Sequence, residues 1–446
     1  MKFHDVVISG GTIIQNNLSP EHRGKGFKTL KEAVVSSAFH DSGERFDPPK
    51  CHPKTRVAVI ERIMDWINGE IDTETLVLWL YGPAGAGKSA IAQTIAELCH
   101  EAGLLLATFF FSSTDPSRNN IKSLFATLAY KAMFYVPAAR RIIEQVVDLD
   151  PLIFECSLEA QFTRLILEPF ARLFETGIFN QIPFPPVIII DGLDECLDHA
   201  AQRATLAAFS KAGKQRRVPF KLLIISRPEQ TIISSFKATP LKPLTHPLQL
   251  NDDYKPDKDV RTFLIDKFNE LRSTHPLVIP PSWPSKADID QLVAKSSGQF
   301  IYASIAIRFI SSLRHHPRDR LNIVLGLCPP RRDLPFVELD ALYTQIVSSS
   351  SDVGTLLDIL GIAIVLAGMP GTEYMAPLPA GIIDGILDLE EGAFQLLLAD
   401  INSLVEWDGK WDRIKFHHAS CPDFLLDAQR SRDLHIEPSL IYTRLV

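Results

Sequence analysis

The chain has 446 residues, of which 46% are hydrophobic and 22% are charged, and its formal net charge is −7. This length exceeds what one hydrophobic core usually serves, so we expect two or three globular domains. The small negative charge excludes a global basic field of the kind that wraps nucleic acid. The six cysteines include no Cys-x-x-Cys pair. Their scatter argues against a zinc site or a disulfide framework and favours reduced thiols in a cytoplasmic protein.

Neither a signal peptide nor a membrane span is predicted. Met1–Ile14 lacks a basic start followed by a sustained apolar run. The most apolar stretch lies between Leu356 and Met369, where Asp358 interrupts it. It is shorter than the roughly 20 residues that cross a bilayer, so we expect a buried helix.

Residues 1–50 are predicted to form an N-terminal arm. Paired glycines at 10–11 and the pair Pro48-Pro49 interrupt any long element and leave room for a short helix within 28–39. The segment 54–68 then carries apolar residues at helical spacing, which predicts a helix that leads into the next domain.

The segment 51–250 is predicted to be an α/β domain. Short, nearly continuous apolar runs alternate there with helical patterns, which is typical of a parallel sheet with helices on both faces. A helical pattern at 159–175 contains Pro169, where we expect a kink. The predicted strands, five in number, are Leu76–Tyr81, Leu104–Phe111, Val187–Ile190, Lys221–Ile225 and Pro247–Leu250.

Beyond residue 250 the strand patterns fade and helical patterns take over. We assign 251–350 to a helical domain and 351–446 to a C-terminal unit that ends in a tail. A short β-paired piece is expected at Trp411–His417. The predicted helices are 257–272, 285–297, 299–314, 337–349, 352–368, 379–389 and 391–404.

Residues 82–89 read GPAGAGKS and satisfy the phosphate-loop pattern G-x-x-x-x-G-K-[ST] between an apolar strand and an amphipathic helix. Glycines and small residues allow several backbone N–H groups to turn toward a polyanion, and the next helix adds the partial positive charge of its N-terminus. Lys88 supplies a full positive charge to the β- and γ-phosphates, and the Ser89 hydroxyl ligates Mg²⁺. The predicted nucleotide contacts are Gly82, Pro83, Ala84, Gly85, Ala86, Gly87, Lys88, Ser89 and Ala90. The pattern predicts binding of ATP or GTP with Mg²⁺.

A cluster of acids follows the third predicted strand, in the sequence VIIIDGLDE at 187–195. Asp191 stands at the carboxyl end of that strand, where α/β ligand sites lie and where a carboxylate can hold Mg²⁺. Asp194 and Glu195 follow within one turn, and either could orient or deprotonate an attacking water. We favour Glu195 slightly, although spacing alone does not separate the two.

An arginine, Arg227, follows the fourth predicted strand in the sequence KLLIISRP at 221–228. A permanent cation at this strand end could contact the γ-phosphate and report its presence. A surface arginine at a strand–helix junction is the alternative.

GPAGAGKS, VIIIDGLDEC and LLIISRP, in this order and spacing, resemble the NACHT domain of the signal-transduction ATPases with numerous domains (STAND). The similarity is strongest to fungal NACHT proteins with a nephrocystin-3-like nucleotide-binding region. It implies a five-stranded core, a helical domain and a winged-helix-like unit at roughly 352–427. It also implies a nucleotide-driven switch in fungal signalling, of the kind used in innate-immunity-like or heterokaryon-incompatibility responses, with self-association or protein partners on activation.

The resemblance implies further site residues. Arg227 acquires a role at the γ-phosphate, and His417 or His418 of the winged-helix-like unit could touch a bound diphosphate. Arg56 and Val57 are implied to line the base pocket. Two departures stand out. Gly192 occupies the position where a catalytic glutamate directly follows the strand aspartate, which implies slow hydrolysis, and no repeat array or death-type domain is visible.

Two function classes therefore remain from the sequence. The first is a switch with weak NTPase activity, and the second is a scaffold that keeps a nucleotide as a structural part without hydrolysing it. A P-loop kinase acting on a small molecule is disfavoured because no arginine-rich lid precedes Asp191.

Overall fold

The computed structural model describes residues 6–9, 12–15, 25–45, 48–113, 115–181, 185–214, 219–238, 240–251, 254–313, 315–326, 336–367, 380–390, 392–407, 409 and 413–445. Over these ranges no single helix combines the length and apolarity needed to cross a membrane. Within the described residues, one pair of helices, Val337–Ser348 and Val353–Val365, has the length and composition of a membrane span when the two are taken together. The pair is bent by 116° at its junction.

Within the predicted N-terminal arm, residues 25–45 pack against the neighbouring α/β domain. A two-stranded antiparallel hairpin, β1 (Val6–Ser9) and β2 (Thr12–Gln15), comes first, followed by helix α1 (Lys25–Glu32). Gly26 N donates to Asp148 Oδ1 over 2.6 Å, and Leu30 is fully buried. Residues 25–45 therefore contribute to the core of the α/β domain.

The sheet at the centre of the domain has the five parallel strands that the sequence predicts. In space they run β4-β5-β6-β3-β7, and Trp79 of β3 lies between Ile224 of β6 and Pro247 of β7. Successive residues point to opposite faces, so Val77 and Trp79 enter one apolar cluster while Leu78 and Leu80 enter another. The strands are β3 (Val77–Tyr81), β4 (Leu105–Phe110), β5 (Val187–Asp191), β6 (Lys221–Ser226) and β7 (Thr245–Gln249).

Helices cover both faces of this sheet. On one face lie α2 (Val57–Ile67) and α3 (Lys88–Glu101). On the other lie α4 (Leu124–Tyr135), α5 (Pro137–Leu149), α6 (Leu158–Phe162), α7 (Glu168–Glu175), α8 (His199–Ser210) and α9 (Gln230–Lys237). A π-helical turn, Thr163–Leu167, joins α6 to α7 directly before Pro169. The wider turn accommodates a residue that has no N–H to donate, at the place where a kink is predicted.

Helices then dominate the chain, as predicted beyond residue 250. They are α10 (Pro256–Thr274), α11 (Lys286–Ser296), α12 (Phe300–Ile310), α13 (Pro317–Gly326) and α14 (Val337–Ser348). The sequence prediction missed α13, whose proline at the first position and few apolar residues hide its period.

The C-terminal part combines helices with a small antiparallel sheet. The helices are α15 (Val353–Ala367), α16 (Ala380–Leu387), α17 (Ala393–Asp400), α18 (Ser420–Leu426), α19 (Ala428–Ser431) and α20 (Pro438–Leu445). Strands β8 (Val405–Glu406) and β9 (Lys415–Phe416) pair between α17 and α18. The predicted β piece at 411–417 thus contains β9, while residues 411 and 412 lie outside the described ranges. One apolar cluster joins α10–α20, and the split into two units near residue 350 stays a prediction.

Candidate functional site

The glycine-rich loop lies between β3 and α3, as the sequence predicts. Gly85 and Gly87 have φ angles of +76° and +84°. Residues other than glycine adopt this backbone conformation only at an energetic cost. A Cβ atom added to Gly85 would lie 2.3 Å from Cγ2 of Ile301, at the start of α12. The loop therefore needs glycine both for its backbone conformation and for the close approach of α12.

Lys88, the first residue of α3, folds back over this loop. Its Nζ donates to the carbonyl oxygens of Gly82 and Pro83 over 3.0 and 2.9 Å. Burial lowers the pKa of Lys88, and the nearby Asp194 carboxylate opposes that shift. The ammonium group is thus partly buried at the mouth of the loop, where the oxygens of an anion can replace the two carbonyls.

Ser89 and Asp191 form an oxygen-rich pair beside the loop. Asp191 is 3% exposed at the end of β5, and its Oδ1 is a buried atom without a hydrogen-bond partner. Burial raises the pKa of Asp191 to about 6, while a hydrogen bond from Ser89 and the charge of Arg45 act in the opposite direction. An unpartnered carboxylate oxygen next to a hydroxyl is a donor set that suits Mg²⁺, which takes oxygen ligands.

Asp194 is committed to Arg227. The backbone N–H of Arg227 donates to Asp194 Oδ1 over 2.9 Å, and the guanidinium Nε lies 3.2 Å from Oδ2. Both carboxylate oxygens are thereby occupied. This geometry favours a role for Asp194 in positioning Arg227 over a role as the base.

Glu195 has the environment of a tunable acid. Its Oε2 accepts a hydrogen bond from Ser113 N over 3.0 Å, and burial, together with the Asp194 charge, raises the pKa of Glu195 to about 7. A group with this pKa can exchange a proton near neutral pH. The preceding Gly192 has φ +72° and starts the short 3-10 turn that brings both acids back toward the loop. A glutamate at position 192 would strain that turn.

Arg227 also reaches the C-terminal part of the chain. Its Nη1 donates to Asp423 Oδ2, in α18, over 2.9 Å. The two carboxylates outweigh the effect of burial, so the pKa of Arg227 is raised. The partner Asp423 is 196 positions away in sequence, and no spacing argument could have identified it.

Of the two candidate histidines, His418 is the one whose pKa is affected by the charge of Lys88 at the loop. Burial lowers the pKa of His418 to about 3, and the charges of Arg227 and Lys88 add to that effect. The ring of His417 instead contacts Arg308 Nη1 and the carbonyl oxygen of Asn402. Both rings line the cavity that contains the loop, but His417 is held by neighbours of its own.

Arg56 closes the cavity from the side of α2. Its Nη2 donates to the carbonyl oxygen of Ala86 over 2.8 Å, its guanidinium carbon lies 5.0 Å from the ring centre of Phe300, and its Nε is buried without a hydrogen-bond partner. Arg56 lines the cavity together with Phe300. Val57, the first residue of α2, is 46% exposed and is not among the residues that form the wall.

The match to known families covers the same part of the chain. Residues 59–227 match the family described as nephrocystin 3, N-terminal. The core is a P-loop NTPase fold. The matched stretch contains the loop, the acids after β5 and Arg227, but it is less than half of the chain. No curated protein matches this sequence.

Solved structures with similar architecture include three from different organisms. A STAND protein with a tetratricopeptide repeat sensor from Pyrococcus horikoshii aligns at TM-score 0.43 and 13% identity, covering 86% of this chain and 44% of its own. The Orc1 protein of Aeropyrum pernix, solved in complex with DNA, aligns at 0.37 and 15%, covering 88% and 94%. PCH-2 of C. elegans aligns at 0.32 and 10%, covering 72% of each chain. The chain thus spans less than half the length of the STAND protein.

Proposed function

We propose that this chain is a nucleotide-dependent switch that binds ATP or GTP with Mg²⁺ and hydrolyses it slowly. The observation that carries the proposal is one cavity in which three features meet. Lys88 and Ser89 line it from the glycine-rich loop, Asp191 and Glu195 line it from the end of β5, and Arg227 lies there in contact with the C-terminal Asp423.

In this proposal the loop binds the phosphate tail. Backbone N–H groups within 82–90, other than that of Pro83, which has none, and the Lys88 ammonium bind the phosphate oxygens, after Lys88 leaves the loop carbonyls. Ser89 and Asp191 would hold Mg²⁺, which would neutralise phosphate charge. Arg56 contacts the base beside Phe300.

Glu195 is the proposed base, whereas its neighbour Asp194 positions Arg227. Glu195 takes a proton from the attacking water, for which a pKa near 7 is suited. Asp194 orients Arg227, whose guanidinium contacts the γ-phosphate. Hydrolysis is slow because the Glu195 carboxylate is also held by Ser113 N–H and is protonated in part at neutral pH.

The switch itself follows from competition for one cation. Arg227 binds Asp423 of the C-terminal part, and a γ-phosphate offers it a stronger anion. A triphosphate therefore favours release of α18 from the nucleotide site, and a diphosphate, contacted by His418, favours its return. We further propose a cytoplasmic role in fungal signalling of the innate-immunity-like or heterokaryon-incompatibility kind, with self-association or a protein partner in the released state.

The second candidate is a scaffold that keeps its nucleotide without turnover. Gly192 in place of an acid, and the hydrogen bond that occupies Glu195, favour it. Phosphate release by purified protein separates the two functions. We expect slow release that Lys88→Ala abolishes with loss of binding and that Glu195→Gln abolishes with binding retained. Co-purified nucleotide without release above background would support the scaffold, and full activity of Glu195→Gln with loss in Asp194→Asn would transfer the role of base to Asp194.

A further inference from the structure

A line of buried hydrogen bonds connects α14 to the candidate nucleotide cavity. Tyr343 Oη lies 2.7 Å from Ser420 Oγ, and Ser420 Oγ lies 2.7 Å from His418 Nδ1. Tyr343 and Ser420 are 0% and 3% exposed. Buried hydroxyl groups are costly unless they are satisfied, so two of them in series at this place are a specific feature of the chain.

The backbone fixes the direction of these hydrogen bonds. Ser420 N–H donates to His418 Nδ1 over 3.0 Å, and because an amide can only donate, Nδ1 accepts and carries no proton. The Ser420 hydroxyl must then donate to the same nitrogen. Since its one hydrogen is used, Ser420 Oγ accepts from the hydroxyl of Tyr343. The neutral imidazole carries its proton on Nε2, on the opposite edge of the ring.

The remaining polar atom of His418 is Nε2. His418 lines the same cavity as Lys88 and Arg227. Because Nδ1 is bound to Ser420, Nε2–H is the group that His418 can offer to a ligand there. A neutral ring in this position is a hydrogen-bond donor without being a third cation.

We propose that Tyr343 and Ser420 are positioning residues that fix His418 as an Nε2–H donor to the phosphate tail of a bound nucleoside diphosphate. This inference rests on the proposed nucleotide switch and adds the parts that orient its histidine. Tyr343 belongs to α14, whereas His418 and Ser420 flank the start of α18. The chain therefore couples the position of α14 to diphosphate binding.

Calorimetric titration of the full chain with ADP and Mg²⁺ tests the hydroxyl groups. Loss of an oriented donor to a charged group predicts that Ser420→Ala weakens ADP binding roughly tenfold, and Tyr343→Phe by about threefold. Ser420→Thr keeps the hydroxyl and is expected to bind as the wild type does. Tyr302→Phe is the matched control, because the buried Tyr302 hydroxyl has no hydrogen-bond partner in the structure, and it is expected to leave ADP affinity unchanged.

Amide substitutions test which ring nitrogen matters. The amide nitrogen of His418→Gln falls close to the place of Nε2 and keeps a donor, whereas that of His418→Asn falls close to Nδ1. We expect His418→Gln to retain most of the ADP affinity and His418→Asn to lose about as much as Ser420→Ala. Since Ser420 acts through His418, Ser420→Ala in the His418→Asn background is expected to cost nothing further.

Failure of the inference and failure of the proposed function give different results. Folded wild type that binds neither ADP nor ATP overturns both. Wild type that binds, and that loses binding in Lys88→Ala but not in Ser420→Ala or Tyr343→Phe, overturns the positioning role alone. Histidine ¹⁵N shifts decide independently of folding in the variants: a proton on Nε2 of His418 supports the inference, and a proton on Nδ1 overturns it.

Discussion

Replacing Asp423 by asparagine isolates the contact between Arg227 and the C-terminal part of the chain. The substitution preserves the shape of the side chain and removes one of the two anions that the guanidinium contacts, while Asp194 continues to hold Arg227. Under the proposed switch, this favours the released conformation in which α18 leaves the nucleotide site.

The exposure of the two side chains sets the strength of the ion pair between Arg227 and Asp423. The side chain of Arg227 is 26% exposed and that of Asp423 is 40% exposed, so water screens the pair in part. Ion pairs of this kind contribute about 0.5–1 kcal/mol, which corresponds to roughly a two- to fivefold change in the ratio of the two conformations. We therefore expect ADP to leave Asp423→Asn about two to five times faster than the wild type.

Stopped-flow chase of a fluorescent ADP analogue by excess unlabelled ADP measures this rate. Asp433→Asn is the matched control, because it removes the same charge from an exposed position in the C-terminal part. The effect of Asp423→Asn is expected to shrink as salt is added, since screening weakens the pair in the wild type. Equal release rates in the two variants, or slower release from Asp423→Asn, would refute the reasoning.

Three further predictions concern the loop and the acids after β5. Gly85→Ala is expected to lower the free energy of unfolding by more than Gly69→Ala does. Both positions have positive φ, which costs a non-glycine residue about 1–3 kcal/mol, but only Gly85 lies against Ile301. Urea unfolding of both variants checks this difference. Phosphate release is expected to rise between pH 6 and 8 with a midpoint near the Glu195 pKa of about 7, and a flat profile would exclude Glu195 as the base. Asp191→Asn is expected to stabilise the nucleotide-free protein above pH 6 by on the order of 1–3 kcal/mol, with the difference vanishing near pH 4. The pKa of Asp191 is raised to about 6 in the folded state, so the wild type loses stability as pH rises through that value; equal thermal unfolding at pH 8 would contradict the prediction.

The central sheet could be predicted because its residues allow few alternatives. Val187–Ile190 is apolar on both sides of the strand and ends in Asp191, a pattern typical of a strand between two helix layers. Prediction was weaker where packing, rather than pattern, decides the structure. Helix α9 (Gln230–Lys237) has only two fully buried residues and was not predicted.

The site divides in the same way. The loop and Asp191 follow from local sequence, because glycine spacing and strand ends fix them. The contacts of Arg227 with Asp423 and of His418 with Ser420 and Tyr343 depend on how α14 and α18 approach the loop. No periodicity in the sequence encodes that approach, and only the structure shows that Asp194 contacts Arg227 whereas Glu195 accepts from Ser113 N–H.

The two borders of the parallel sheet have a consequence for assembly. At β4 the backbone of His40 donates to the Thr108 hydroxyl, and β4 is buried along its whole length. At β7 the border strand contains Pro247, which has no N–H to offer to an added strand. Copies of this chain therefore cannot extend one another's sheets at either border without unpacking residues 36–45 or tolerating a missing hydrogen bond. Extension of the central sheet is therefore not the expected way in which copies of this chain would associate.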